Sequence, residues 1–222
     1  MASQTILKLG ATLVLLVSLM PALAGQTRDP ATYFFHDSFN DLREEGEIAR
    51  QEGKVGVLVM FETNDCPWCR RMKEMVLNQV EVQNYFRAHF QVIAINAEGD
   101  ALVTGFDGEE VPESDFALRH NRVRATPVFA FFDPSGNMLT RYTGATKDSQ
   151  EFLWLGEYVV EAHFRTQRFS RYKRERKEGS YQDESWAMAG VCPPRTGYAV
   201  VRCTIRAAIA LCLADDVTNA SG

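Results

Sequence analysis

The sequence predicts an α/β fold, a central mixed β-sheet flanked by helices, and three observations carry that prediction. Val55–Phe61 is a nearly continuous apolar run, the pattern of a central strand buried on both faces. Strand-like and helix-like segments then follow one another in the order α-β-α-β-α-β-β-α, which suits a sheet sandwiched between helices. Near the end of that series, Asp133-Pro134-Ser135-Gly136-Asn137 has the turn chemistry of an antiparallel hairpin, so the sheet is mixed. The composition is that of a globular chain: 222 residues, 45% hydrophobic and 24% charged, with 15 Gly and 8 Pro. Collagen, low-complexity chains and wholesale disorder are thereby excluded.

Taken in order, Phe39–Gln51 reads as a surface helix capped by Asp37 or Ser38, with Phe39, Leu42 and Ile48 as its apolar positions. The apolar strand Val55–Phe61 follows. A helix after the Cys66, Cys69 pair carries Cys69, Met72, Val76 and Leu77 on one stripe, and Val82–Phe90 continues helically. Gln91–Asn96 is the second strand. Glu98–Val111, with its glycines and acids, is an inserted loop or small hairpin, and Glu113–His120 is a short helix. Pro127–Phe132 and Met138–Tyr142 are the hairpin strands. Asp148 caps the last helix with Glu151 three residues on, and Phe152, Leu155, Val159 and His163 supply its buried stripe.

The ends differ from the middle. Met1–Lys8 bears one positive side chain, Leu9–Met20 is a short apolar stretch, Pro21 breaks it, and Ala22-Leu23-Ala24 has the small-x-small form of a signal-peptidase site. Twelve residues are too few to span a membrane core that needs ~20 as a helix, which favours a cleaved signal peptide over an anchor. The expected organisation is a signal peptide over 1–24, a linker over 25–32, an α/β domain over 33–168, and a basic extension with an irregular, poorly ordered tail over 169–222. A periplasmic or otherwise exported protein follows, with no stable membrane insertion after cleavage. Export in turn implies an oxidising compartment. Residues 25–164 hold 13 Lys/Arg against 23 Asp/Glu, and residues 165–222 hold 10 against 6. The total of −5 leaves no footprint for nucleic acid. The basic run Arg165–Lys177 reads as a solvated helix extension rather than a nucleic-acid or membrane site.

Cys66-Pro67-Trp68-Cys69 is the decisive motif. It lies where a buried strand ends and a helix begins. There, unpaired N–H groups and the positive end of the helix dipole favour a thiolate, and such placement lowers a cysteine pKa from ~8.5 toward ~3.5–7.5. Pro67 suits the first helical position. Arg70, Arg71 and Lys73 favour the thiolate, while Asp65 and Glu62 oppose it. Half a zinc site is a poor alternative, because Cys192, Cys203 and Cys212 are widely spaced and have no histidine near them. A purely structural disulfide over so small a loop would add little stability. Redox chemistry is the preferred reading. His36, His89, His120 and His163 have no metal spacing, and neither metal nor cofactor is expected.

The stretch Val57-Leu-Val-Met-Phe-Glu-Thr-Asn-Asp-Cys-Pro-Trp-Cys-Arg-Arg-Met, with Arg124-Ala-Thr-Pro-Val-Phe-Ala-Phe-Phe-Asp and Gly144, resembles the thioredoxin superfamily over roughly Tyr33–Phe164. Within it, Arg70-Arg71-Met72-Lys73, Val76-Leu-Asn-Gln-Val-Glu-Val and the insertion Gly105-Phe-Asp-Gly resemble exported proteins of the periplasmic SoxW type. The resemblance implies a thioredoxin-like fold, Cys66 as exposed nucleophile and Cys69 as buried resolving cysteine. It also implies a cis Thr126–Pro127 bond, with the backbone of Thr126 meeting a substrate strand. Trp68, like Pro67 beside it, either touches substrate or packs over the pair. The buried acid that many thioredoxins carry six residues before the first cysteine is Met60 here. Glu62, on the same side of the strand by alternation, is either a substitute proton acceptor or solvated. The rarity of buried unpaired acids favours the second.

The expected function is thiol–disulfide exchange on exported protein thiols and disulfides. A SoxW-like role implies a reductant, recharged by a membrane electron carrier. The alternatives are a disulfide-forming oxidant or isomerase, and a non-catalytic thioredoxin-fold binding module or thiol chaperone.

Overall fold

The structure is a computed structural model that describes residues 26–189, with side chains described to residue 179. The proposed signal peptide, Cys192, Cys203 and Cys212 lie outside the described residues. Two compact units divide after Phe164.

The first unit is built on strand β1, Gly56–Glu62. It pairs in parallel with β2, Phe90–Asn96, and antiparallel with β5, Val128–Phe132; β5 pairs antiparallel with β6, Met138–Thr143. The sheet order β2-β1-β5-β6 is the mixed sheet expected. Because β1 is central, both sets of its alternating side chains are buried. Val57, Val59 and Phe61 join one core with Leu42, Ile95, Phe116 and Val128. Leu58 and Met60 point to the other face, where an aromatic cluster gathers. There Phe86 stacks on Phe152 at 4.4 Å between centroids, and Phe129 meets Phe152 edge-on at 4.9 Å. Full burial of such side chains stabilises by about 1.5–3 kcal/mol each before entropy is charged.

Helices cover both faces. A single turn, α1 (Pro30–Tyr33), precedes α2 (Leu42–Gln51), and α3 (Pro67–Met72) runs on into a π-helical turn at Lys73–Leu77. Helix α4 (Val80–His89) leads into β2, and α5 (Glu113–Asp115) continues as a second π turn, Phe116–His120. Helix α6 (Ser149–Val160) crosses close to α4. A Cβ on Gly156 would lie 2.6 Å from Tyr85 Cε1, so only glycine permits that approach. The segment expected as loop or hairpin is a hairpin, β3 (Leu102–Thr104) with β4 (Glu110–Pro112). Thr27 bridges Gln79, and Arg28 Nε donates to Gln83 Oε1 at 2.9 Å, so residues 26–28 are held to the loop before α4.

Three details differ from expectation. The first long helix begins at Leu42, not Phe39: Asp41 accepts the Glu44 amide as its cap, and Phe39 is 99% exposed because Asn40 takes positive φ and turns the chain. Helix α6 is capped by Asp148 as foreseen but ends at Val160, since Ala162 has φ 55°. His163 is therefore in a 3₁₀ turn, with Nε2 2.8 Å from Glu161 Oε2, and is no part of the buried stripe. In the second unit the helix runs beyond the basic stretch, as α7 from Phe169 to Ala189. No described helix is long and apolar enough to cross a membrane.

Strand β2 is an edge, and side chains occupy two of its amides. Val92 N donates to His36 Nδ1 at 2.9 Å, while His36 N donates to Val92 O at 2.8 Å. Asn96 N donates to Glu113 Oε1 at 3.2 Å. Burial first, then the charges of Arg87 and Lys54, lower the His36 pKa from its ordinary value to about 4. Protonating Nδ1 would also abolish the acceptor that Val92 uses. The folded pKa lies below the unfolded one, so this contribution is complete above pH ~6.5 and is lost as pH falls through about 4. Allowing for solvent screening, it amounts to about 1–2 kcal/mol. His36→Asn keeps an acceptor but does not titrate. Urea unfolding between pH 7 and 4 should show the parent losing about 1–2 kcal/mol more than this variant; parallel profiles would assign the loss to other groups.

Candidate active site

The polypeptide leaves β1 at Glu62, turns through residues 63–65 and enters α3 at Pro67. Cys66 is the N-cap of α3 with extended φ, ψ of −83° and 105°, and its amide donates to Thr63 O at 3.3 Å. Its Sγ accepts the Cys69 N–H at 3.0 Å, the hydrogen bond that a capping oxygen would ordinarily accept. A sulfur in that position is paired with an otherwise orphan donor of the first turn, and the same donor stabilises a thiolate there. Cys66 and Cys69 are joined in a disulfide, S–S 2.18 Å with Cα atoms 5.2 Å apart. Of the two, Cys66 is the more accessible, at 7% against 2%.

The other residues singled out from the sequence gather around this pair. The Thr126–Pro127 bond is cis, and Thr126 Oγ1 lies 3.4 Å from Thr63 Oγ1, which ties the loop before β5 to the turn before Cys66. Gly144 N donates to Pro127 O at 2.8 Å and holds the loop from its other side. Among the described residues, the backbone N–H and C=O of Thr126 have no protein partner. Pro67 is exposed, and Trp68 is 59% exposed.

Glu62 is not solvated as the sequence favoured. Its side chain is only 19% exposed, and Oε1 accepts from Lys73 Nζ at 2.7 Å, so it is a half-buried paired carboxylate rather than a solvated one. Lys73 Nζ also lies 5.7 Å from the centroid of the Phe35 ring. The pair links the end of β1 to the π turn after α3. Nothing in the sequence announces this link or the Thr63–Thr126 contact. Lys73 was visible as a nearby charge, but its contact with Glu62 joins two elements and no periodicity announced it. Met60 is fully buried at the position of the family's acid.

Residues 42–160, more than half the chain, match the family model described as a thioredoxin-like domain. The chain belongs to the thioredoxin-like family. Solved structures similar to this member include a thioredoxin-fold protein from Helicobacter pylori, 20% identical, covering 55% of this chain and 84% of that one with a TM-score of 0.45. A thioredoxin from Thermus thermophilus is 27% identical over 53% of this chain and 82% of that one, TM-score 0.42. The reduced C-terminal domain of Neisseria meningitidis DsbD is 18% identical over 53% and 90%, TM-score 0.38. A search of curated proteins finds no match.

The Glu62–Lys73 pair is testable by a double-mutant cycle. Glu62→Gln and Lys73→Met should each destabilise, and the double variant should lose less than their sum. A coupling of about 1 kcal/mol is expected for a half-buried pair. Strict additivity in urea unfolding would show that the contact contributes nothing to stability.

Proposed function

We propose that this protein is a thiol–disulfide oxidoreductase that reduces disulfides of exported protein partners. The observation that carries the reading is the position of Cys66, an N-cap sulfur accepting the Cys69 amide and bonded to Cys69 across the first turn. In the reduced state the Cys66 thiolate attacks one sulfur of a partner disulfide. A Cys66–partner disulfide forms and the other partner sulfur leaves as a thiolate, which takes up a proton. Cys69, having given up its proton, attacks Sγ of Cys66, expels the second partner thiolate and closes the Cys66–Cys69 bond. Two electrons have passed to the partner, and a dithiol donor of the membrane is proposed to return them.

The rest of the site supports this chemistry. The unpartnered N–H and C=O of Thr126 offer backbone pairing to an extended partner segment beside the sulfurs. Trp68 offers an exposed apolar surface at the same place. Glu62, held by Lys73, is the acid closest in sequence to the missing family carboxylate at Met60, and we assign it as a positioning group rather than a proton acceptor. Export is inferred from the short apolar run Leu9–Met20 and the Ala22-Leu23-Ala24 site.

Two variants test the roles. Cys66→Ser should abolish exchange, whereas Cys69→Ser should leave attack intact and accumulate partners as thiol-cleavable mixed disulfides on non-reducing gels. Adducts on Cys66→Ser alone would reverse the assignment, and unimpaired partner binding with no exchange in the parent would favour a binding module. Direction is read from the couple's reduction potential: about −270 mV is expected for a reductant, and about −120 mV would make it an oxidant.

A further inference from the structure

The unit that carries the disulfide is acidic, with 23 Asp/Glu against 13 Lys/Arg over residues 25–164. A cation there has carboxylates in plenty to choose from. Five of the thirteen Lys/Arg are in ion pairs among the described residues, Lys73 with Glu62 and Arg119 with Asp115 for instance. Eight are not, and four of those eight, Arg70, Arg71, Arg124 and Lys147, lie on segments that carry or touch the disulfide turn. Each is exposed, and none makes an ion pair among the described residues.

Those four come from three segments that border the disulfide. Arg70 and Arg71 directly follow Cys69 on α3. Arg71 Nη2 donates to Lys147 O at 3.3 Å, which sets the loop after β6 beside that helix. Arg124 lies two residues before Thr126, whose hydroxyl meets Thr63 in the turn leading to Cys66. Asp65, Glu74 and Asp148 are the exposed acids of the same segments, three against the four cations, so the surroundings keep a small surplus of positive charge. Beyond a Debye length of about 8 Å the acidic remainder of the surface is screened at physiological salt, and a docking segment responds to the local charges.

We propose that these four cations form a basic collar which selects protein partners carrying acidic residues beside the reacting cysteine. The inference rests on the thiol–disulfide reading above and names the partner class for that site. The occupant is an acidic polypeptide segment laid across Trp68 and Thr126, its carboxylates reaching Arg70, Arg71 and Lys147 on one side and Arg124 on the other. Exposed single pairs contribute little each, so the selection is a cooperative property of several charges facing one short segment.

The test uses three symmetric disulfide dimers of one short peptide, differing only in the two residues flanking cysteine: Asp, Ser or Lys. Each is reacted with the reduced chain at physiological ionic strength, and each rate is divided by that with dithiothreitol to remove differences in disulfide reactivity. The Asp dimer should react about fivefold faster than the Lys dimer. In an Arg71→Glu/Lys147→Glu variant the ratio should fall to one or below, and Arg124→Glu, on the opposite side, should lower it as well. Turnover of the Ser dimer with an Asp-to-Lys ratio of one in the parent, or a ratio that survives both variants, would overturn the collar alone. No reaction with the Ser dimer would remove the thiol–disulfide reading and the collar with it.

Discussion

Strand β1 is the member on which the other parts depend. It is buried on both faces and hydrogen-bonded on both edges, so neither its register nor its direction can change without exposing one of two cores. Rigidity of that kind is transmitted to the residue that follows. The turn of residues 63–65 is short, and Cys66 is delivered to the start of α3 at a fixed height above the sheet. The neighbour β5 is anchored equally well, in register from Val57↔Phe132 to Phe61↔Val128, and delivers Thr126 and Pro127 from the opposite direction. An antiparallel neighbour thus begins where β1 ends, which brings two loops far apart in sequence onto the same rim.

Around the sulfurs, local dipoles and discrete charges have separate tasks. The Cys69 amide acts on Cys66 at 3.0 Å and is oriented by the helix itself. Lys73 is occupied by Glu62, and its influence on the sulfurs is correspondingly muted. Arg70, Arg71, Arg124 and Lys147 are exposed, where solvent screens their charges, and the proposed recognition is assigned to them. Chemistry and recognition are therefore carried by different groups of the same few turns.

Much of this was legible in the residues. Val55–Phe61 announced a doubly buried strand because nothing polar interrupts it, and Cys66-Pro67-Trp68-Cys69 announced a helix start because Pro is tolerated there and the sulfurs need it. The Asp133–Asn137 turn and the Asp148 cap were equally plain, since each depends on side chains bonding to nearby backbone. What escaped was non-local or depended on irregular backbone. Phe39 looked like the start of an apolar stripe, yet positive φ at Asn40 placed it outside the helix. Glu62 and Lys73 meet across 11 residues, from the end of β1 to the end of α3, a contact between two elements that neither one's own pattern announces. The run after Lys177 lacks an apolar period, and helix α7 passes through it nonetheless.

The plugging of β2 has a consequence for a chain that emerges amino end first. An unpaired strand edge invites other strands, and here two of its amides are met by side chains rather than by another strand. His36 precedes its target amide by 56 residues, so it is already waiting when Val92 appears. Glu113 follows Asn96 by 17 residues, so the far end of the same edge stays open until that much more chain has been delivered. The interval is short, and it defines the window in which a nascent molecule is most open to pairing with a neighbour or to capture by a chaperone. Timing, as well as geometry, is written into where those two side chains sit along the polypeptide.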